Sequence, residues 1–144
     1  MKSKNIKENS VASVPQRQIE ELNKITEKII AAAIEVHQTL GPGLLESIYE
    51  KALAIELGKQ KLAVETQKEL PVQYKGIPVG NFRVDIVVEG KIVLELKSVE
   101  RHDPVFEAQL LSYLKMGDYP LGLLINFNNE LLKQGIKRII LTKP

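Results

Sequence analysis

The chain of 144 residues reads as an α/β protein, a mixed β-sheet flanked by α-helices. Three observations predict it: a long opening stretch with apolar residues at helical spacing, an alternating hairpin near the middle, and a helix start at Asp103-Pro104 that leads into an apolar strand. A length of 144 residues is one domain by the usual prior and enough to bury a core.

The first helix is expected over Gln16 to Leu40, where Ile19, Leu22, Ile25, Ile29, Ala33, Val36 and Leu40 recur with the helical period. Gly41 suits its left-handed end and Pro42 a new helix start. That second helix runs through LLESIYEKALAIELG, with Leu45, Ile48, Ala52 and Ile55 on one stripe. Residues 61–80 divide into two short strands, LAVETQKEL and PVQY, with a turn at Lys75-Gly76. The hairpin covers about residues 81–99. Asp103 is placed to cap, and Pro104 to begin, the helix VFEAQLLSYLKM, which stops at Gly117. LGLLINF is a buried strand and IKRIILT a closing one. Residues 1–15, polar and without an apolar signal core, are expected to form a flexible leader ahead of a single domain over 16–144.

Composition narrows the chemistry. No run approaches the roughly eighteen apolar residues of a membrane span, so no membrane partner is expected. Zero cysteines exclude disulfides and thiolate metal sites and fit a reducing, cytoplasmic setting. Two histidines, His37 and His102, are too few for an imidazole-built zinc centre, and His37 near a helix end reads as structural. A bound metal would need oxygen ligands, which favours Mg²⁺ or Mn²⁺. A net charge of +2 makes no general phosphate-binding surface, and Lys133, Lys137, Arg138 and Lys143 read as solvated charge. A homo-oligomer is compatible with the sequence.

The hairpin raises the functional question, because FRVDIVV and EGKIVLELKSVE put Asp85, Glu95 and Lys97 into strands. Val84, Ile86 and Val88 are expected on one face with Arg83, Asp85 and Val87 on the other; Ile92, Leu94 and Leu96 oppose Val93, Glu95 and Lys97. Matching the apolar sets requires the loop Glu89-Gly90-Lys91, with Val88 opposite Ile92. Asp85 then faces Glu95, a like-charge pair unfavourable by up to about 1 kcal/mol. Two readings are open at this point. Either Arg83 and Lys97 offset the repulsion on a solvated face, or a divalent cation sits between the carboxylates with Lys97 beside it, as phosphodiester hydrolysis requires.

The spacing Asp85, Glu95, Lys97 resembles the active-site signature of PD-(D/E)xK nucleases. LGPGLLESIYEKAL, with Gly43, Glu46 and Tyr49, resembles the motif that names the GxxExxY protein family, a small PD-(D/E)xK-like group. AQLLSYLKMG and LLINFN are also similar to that family, so the resemblance covers about residues 20–142. It implies a restriction-endonuclease-like core and an Mg²⁺- or Mn²⁺-dependent nuclease acting on DNA or RNA. Asp85, Glu95 and Glu46 would be metal ligands and Lys97 the catalytic lysine. Gln109 and Tyr113 resemble the Gln-x-x-x-Tyr helix motif of RecB-like nucleases, supporting substrate or lysine, with Tyr49 as a further supporting or substrate-binding residue. The chain departs from the pattern in carrying Phe106-Glu107 where a His often precedes the Gln, and Val84 where Pro often precedes the Asp. Each residue also has an ordinary reading: Glu46 as a helix-start carboxylate, Tyr49 as a half-buried ring, Gln109 and Tyr113 as the rim of a core-facing helix. The alternative function is a nucleic-acid-binding or regulatory subunit that keeps the nuclease fold without turnover.

Overall fold

The computed structural model describes residues 15–141, so the expected leader, except for Pro15, lies outside the described residues. The elements are α1 (Gln16–Leu40), α2 (Glu46–Lys59), β1 (Val64–Tyr74), β2 (Ile77–Val88), β3 (Ile92–Lys97), α3 (Pro104–Gly117), β4 (Leu121–Asn126), a 3₁₀ turn (Leu132–Gly135) and β5 (Ile136–Ile140). Among the described residues no helix is long and apolar enough to cross a membrane.

The strands form one sheet in the order β1-β2-β3-β4-β5. Only the β3–β4 pair is parallel, and α3 is the crossover that a parallel connection needs. The sheet is covered on both faces. α1 and α2 bury Leu22, Ile29, Val36, Leu53 and Leu57 against Ile86, Val88, Leu94, Leu96 and Ile125. On the other face α3 buries Leu110 and Leu114 against Val84, Val87, Val93 and Leu124. The expected α/β fold, a mixed sheet between helices, is the observed one.

α3 starts as its sequence implies: the Asp103 side chain accepts the Val105 N–H at 3.0 Å and Pro104 occupies the first turn. Four local expectations are corrected. Residues 64–74 are one strand, because β1 lies at the sheet edge, where Pro71 can turn its missing donor outward. The second helix begins at Glu46, since Gly41 and Gly43 take positive φ angles of 77° and 92° and hold the preceding segment as a loop. α2 buries Tyr49, Leu53 and Leu57; its other apolar stripe, Leu45, Ile48 and Ile55, faces outward. A helix apolar on several sides gives its sequence no single inward face.

The fourth correction bears on the site. Val84 lies in the α3-side core, whereas Ile86 and Val88 lie in the α1/α2-side core, so strict alternation fails at Asp85. Across the β1–β2 ladder the Gln67–Asp85 position is skipped, and Gln67 holds a left-handed φ of 52°. The backbone of β1 turns over at that residue, and β2 turns with it.

Candidate active site

Val88 pairs with Ile92, as the three-residue loop requires, but β2 and β3 stay paired only over Ile86–Val88 and Ile92–Leu94. The strands part at the next position, where Asp85 and Glu95 stand. Their side chains replace the missing ladder. The Asp85 N–H donates to Glu95 Oε2 at 2.9 Å and the Leu96 N–H donates to Asp85 Oδ2 at 2.8 Å. Each carboxylate thus spends one oxygen closing the fork, and its other oxygen takes no part in that closure.

This is not a solvated face. Glu95 is only 8% exposed. Arg83, expected to offset the repulsion, instead pairs with Glu69 at 3.1 Å on the neighbouring strand. Burial, and after it the charge of Asp85, pushes the Glu95 carboxyl up to about 8; the Asp85 amide and Lys97 pull the other way, and Glu46 adds to the rise. Glu95 therefore holds its proton near neutral pH.

Lys97 lies two residues beyond Glu95 on the same face, and its Nζ stands 4.4 Å from the centroid of the Phe106 ring on α3. Tyr113, from the same helix, stacks on Phe82 of β2 with centroids 4.7 Å apart. Burial raises the Tyr113 hydroxyl above its ordinary value, the charges of Glu95 and Asp85 raise it further, and a hydrogen bond with Gln109 opposes them. Gln109 itself is exposed. Asp85, Glu95, Lys97, Tyr113 and Gln109 thus gather on the α3 side of the fork.

Glu46 approaches from the other layer, exposed at the start of α2, and acts on Glu95 as a nearby charge. Among the described residues no three carboxylates or imidazoles stand close enough to enclose a metal ion, so the expected set of Asp85, Glu95 and Glu46 is a pair with an outlying charge. The pair by itself fits a hard divalent cation: its donors are carboxylate oxygens, and a cation would take the place of the Glu95 proton.

Tyr49 stands apart from the carboxylates. Its ring is fully buried and stacks on Phe127 at 4.4 Å, so contact with substrate is closed to it and only support remains. Its hydroxyl donates to the Gly41 carbonyl at 2.5 Å and accepts the Leu44 N–H at 3.0 Å, fixing the loop that delivers Glu46. Ser98, just past Lys97, holds the same loop by donating to the Leu44 carbonyl at 2.6 Å. Tyr49→Phe orphans both loop groups and is expected to cost about 1–3 kcal/mol. A thermal melt of the variant that overlays the wild type would refute this anchoring role.

Two residues at the fork escaped the sequence reading. Glu50, one turn after Glu46, feels the charge of Asp85; burial raises its carboxyl and a hydrogen bond from Gln67 opposes that rise. Its i+4 spacing from Glu46 was a usable signal. Gln67, across from Asp85, carried none, since glutamine does not announce a left-handed backbone. His37 is structural, as expected, with Nε2 at 2.7 Å from the Asn129 carbonyl.

No curated protein matches the chain. Among solved structures it is similar to the crystal structure of SSO0001, with a TM-score of 0.45 and 21% identity over 68% of this chain. The chain spans about half of SSO0001, 50% of its length. The family comparison reaches further: the PD-(D/E)XK nuclease superfamily matches residues 23–139, a span that takes in the fork, Lys97 and both helices that approach it. With that match and this fold, the chain belongs to the PD-(D/E)XK nuclease superfamily.

Proposed function

We propose that the domain is a nuclease of the GxxExxY group that hydrolyses phosphodiester bonds of DNA or RNA, with Mg²⁺ or Mn²⁺ held by Asp85 and Glu95. The observation that carries this reading is the Asp85–Glu95 pair, two carboxylates confined at a strand fork, with Asp85 half-buried and Glu95 buried and raised to about 8. A protein gains nothing in stability from such a pair, and a divalent cation turns its repulsion into binding. The ion, when bound, supplies Lewis acidity toward the phosphate and acidifies water.

The remaining work falls to the chain. Lys97 directs its amine along the Glu95 face and can hold the attacking water or a phosphate oxygen by hydrogen bonds. Phe106 limits where that amine can stand. Tyr113 and Gln109 offer a hydroxyl and an amide to the substrate backbone from α3. Glu46 places a further carboxylate at the opposite lip, and Tyr49 keeps its loop in position.

Cleavage of mixed DNA and RNA substrates with Mg²⁺ or Mn²⁺, against EDTA, tests the proposal directly. A thermal comparison tests the ion. In EDTA, Asp85→Asn is expected to be neutral or slightly stabilising, because an amide oxygen can still accept the Leu96 N–H while the charge beside Glu95 disappears. For a dissociation constant of about 1 mM, about 10 mM Mg²⁺ stabilises the wild type by roughly 1.4 kcal/mol, or about 3–6 °C in Tm. Asp85→Asn should lose most of that rise at matched ionic strength. Equal metal responses in the two proteins, with no cleavage, would leave the non-catalytic alternative in its place.

A further inference from the structure

Beyond the carboxylate fork, the cleft continues past Lys97 into a pocket of about 150 Å³ at the carboxyl ends of β3 and β4. That is room for one planar ring system. Phe106 and Leu124 give it an apolar wall, with His102 set edge-on to Phe106 at 79°. Asn128 and Gln134 line it as well, and neither side-chain amide has a hydrogen-bond partner among the described residues. Lys97 and Lys137 border the cavity, while Glu100 puts a negative charge on its lining.

One wall is pinned at β4 and the 3₁₀ turn. The Asn126 amide is spent on backbone, accepting from the N–H groups of Val99 and Asn128 and donating to the Val99 carbonyl. At Gly135 an added Cβ would collide with the Asn126 carbonyl, so the 3₁₀ turn lies as close to β4 as a chain can. A slot with an apolar wall, amides without protein partners and a carboxylate suits a neutral ring with donors and acceptors on its edge. A phosphate inside would meet Glu100, whereas the two lysines are placed for phosphates on either side.

On the reading of the domain as a nuclease, we propose that this pocket takes one unpaired nucleobase of the strand being cut, next to the scissile phosphate. A base can enter it only out of the stack, so the substrate is single-stranded there or is opened to a single strand. The pocket deepens the proposed function by choosing a substrate class. Asn128 and Gln134 read the base edge, and Lys137 holds a neighbouring phosphate.

The test measures binding of a labelled short oligonucleotide in EDTA by fluorescence anisotropy, as a single strand and as a blunt duplex. Single-strand binding is expected to be at least about tenfold tighter, and Asn128→Ala or Gln134→Ala to weaken it about five- to thirtyfold. Removing one base from the strand, at one position only, should produce a similar loss that does not add to that of Asn128→Ala. Melting temperatures matching the wild type show that both variants are folded. Equal binding of duplex and single strand, or no effect of an abasic site at any position, overturns the inference. The wild type is also assayed with bis(p-nitrophenyl) phosphate, an ester without a base. Hydrolysis of that ester with Mn²⁺ but no base dependence removes the pocket and keeps the nuclease. Base-dependent binding without turnover of any ester removes the nuclease and keeps the pocket.

Discussion

Lys97→Ala is expected to lower metal-dependent cleavage by about 10²–10³-fold, the usual loss when one donor to a developing negative charge is removed. The variant should bind Mg²⁺ as well as the wild type or better, because a positive charge that acts on Glu95 has gone. That split separates a catalytic amine from a structural one. An amine needed only to stack on Phe106 would lower stability and leave kcat intact in the surviving fold. Lys97→Arg is not a safe rescue, since a planar fork cannot stand where a compact ammonium does. Titration calorimetry with Mg²⁺ and single-turnover cleavage on the same preparations decide the matter. Undiminished cleavage by the variant would assign the activity to another site.

The second large effect belongs to Glu95 and is read by pH. Its carboxyl rises from 4.5 in the unfolded chain to about 8 in the fold, so between those values the native state binds the extra proton. Stability from this group is fully present below pH 4.5 and is lost as pH rises towards 8. Glu95→Gln keeps an oxygen for the Asp85 N–H and carries no proton to lose. In EDTA the variant should therefore melt with the wild type near pH 4 and above it near pH 8.5, by an amount on the order of 2–5 kcal/mol. Other titrating groups act on both proteins, so the difference isolates Glu95. A constant difference across the range would mean that Glu95 ionises normally, and the argument for a metal from its burial beside Asp85 would fall with it.

Much of the fold was legible because periodicity and punctuation agreed. The α1 boundaries, the Asp103-Pro104 start of α3 and the Val88–Ile92 register all follow from spacing and turn chemistry. The pairing of Asp85 with Glu95 followed from that register, and the burial of Glu95 did not, since an alternating charged hairpin looks the same whether water or α3 covers it. Val84 was assigned to the wrong face because the turnover at Gln67 has no residue signature. α2 misled in another way: with apolar residues on several sides, its inward stripe was decided by what it met, Phe127 under Tyr49. The pocket beside Lys97 could not be read at all, because its walls come from β3, α3, β4 and the 3₁₀ turn, brought together only by the crossover.

The reciprocal bonds at the fork separate scaffold from chemistry by a single atom on each side chain. What the backbone requires of Asp85 and Glu95 is one acceptor oxygen apiece for the Leu96 and Asp85 amides; what an ion requires is the charge and the remaining oxygen. Asparagine and glutamine satisfy the first demand and fail the second, whereas alanine fails both and leaves two strand amides without acceptors. Drift towards a silent descendant therefore has an easy route through the amides and a hard one through alanine. On the proposed nuclease reading, a relative of this domain bearing Asn or Gln at the fork should fold as this one does and not cut, and the identity of those two side chains would be a cheap first sorting of active from inactive members.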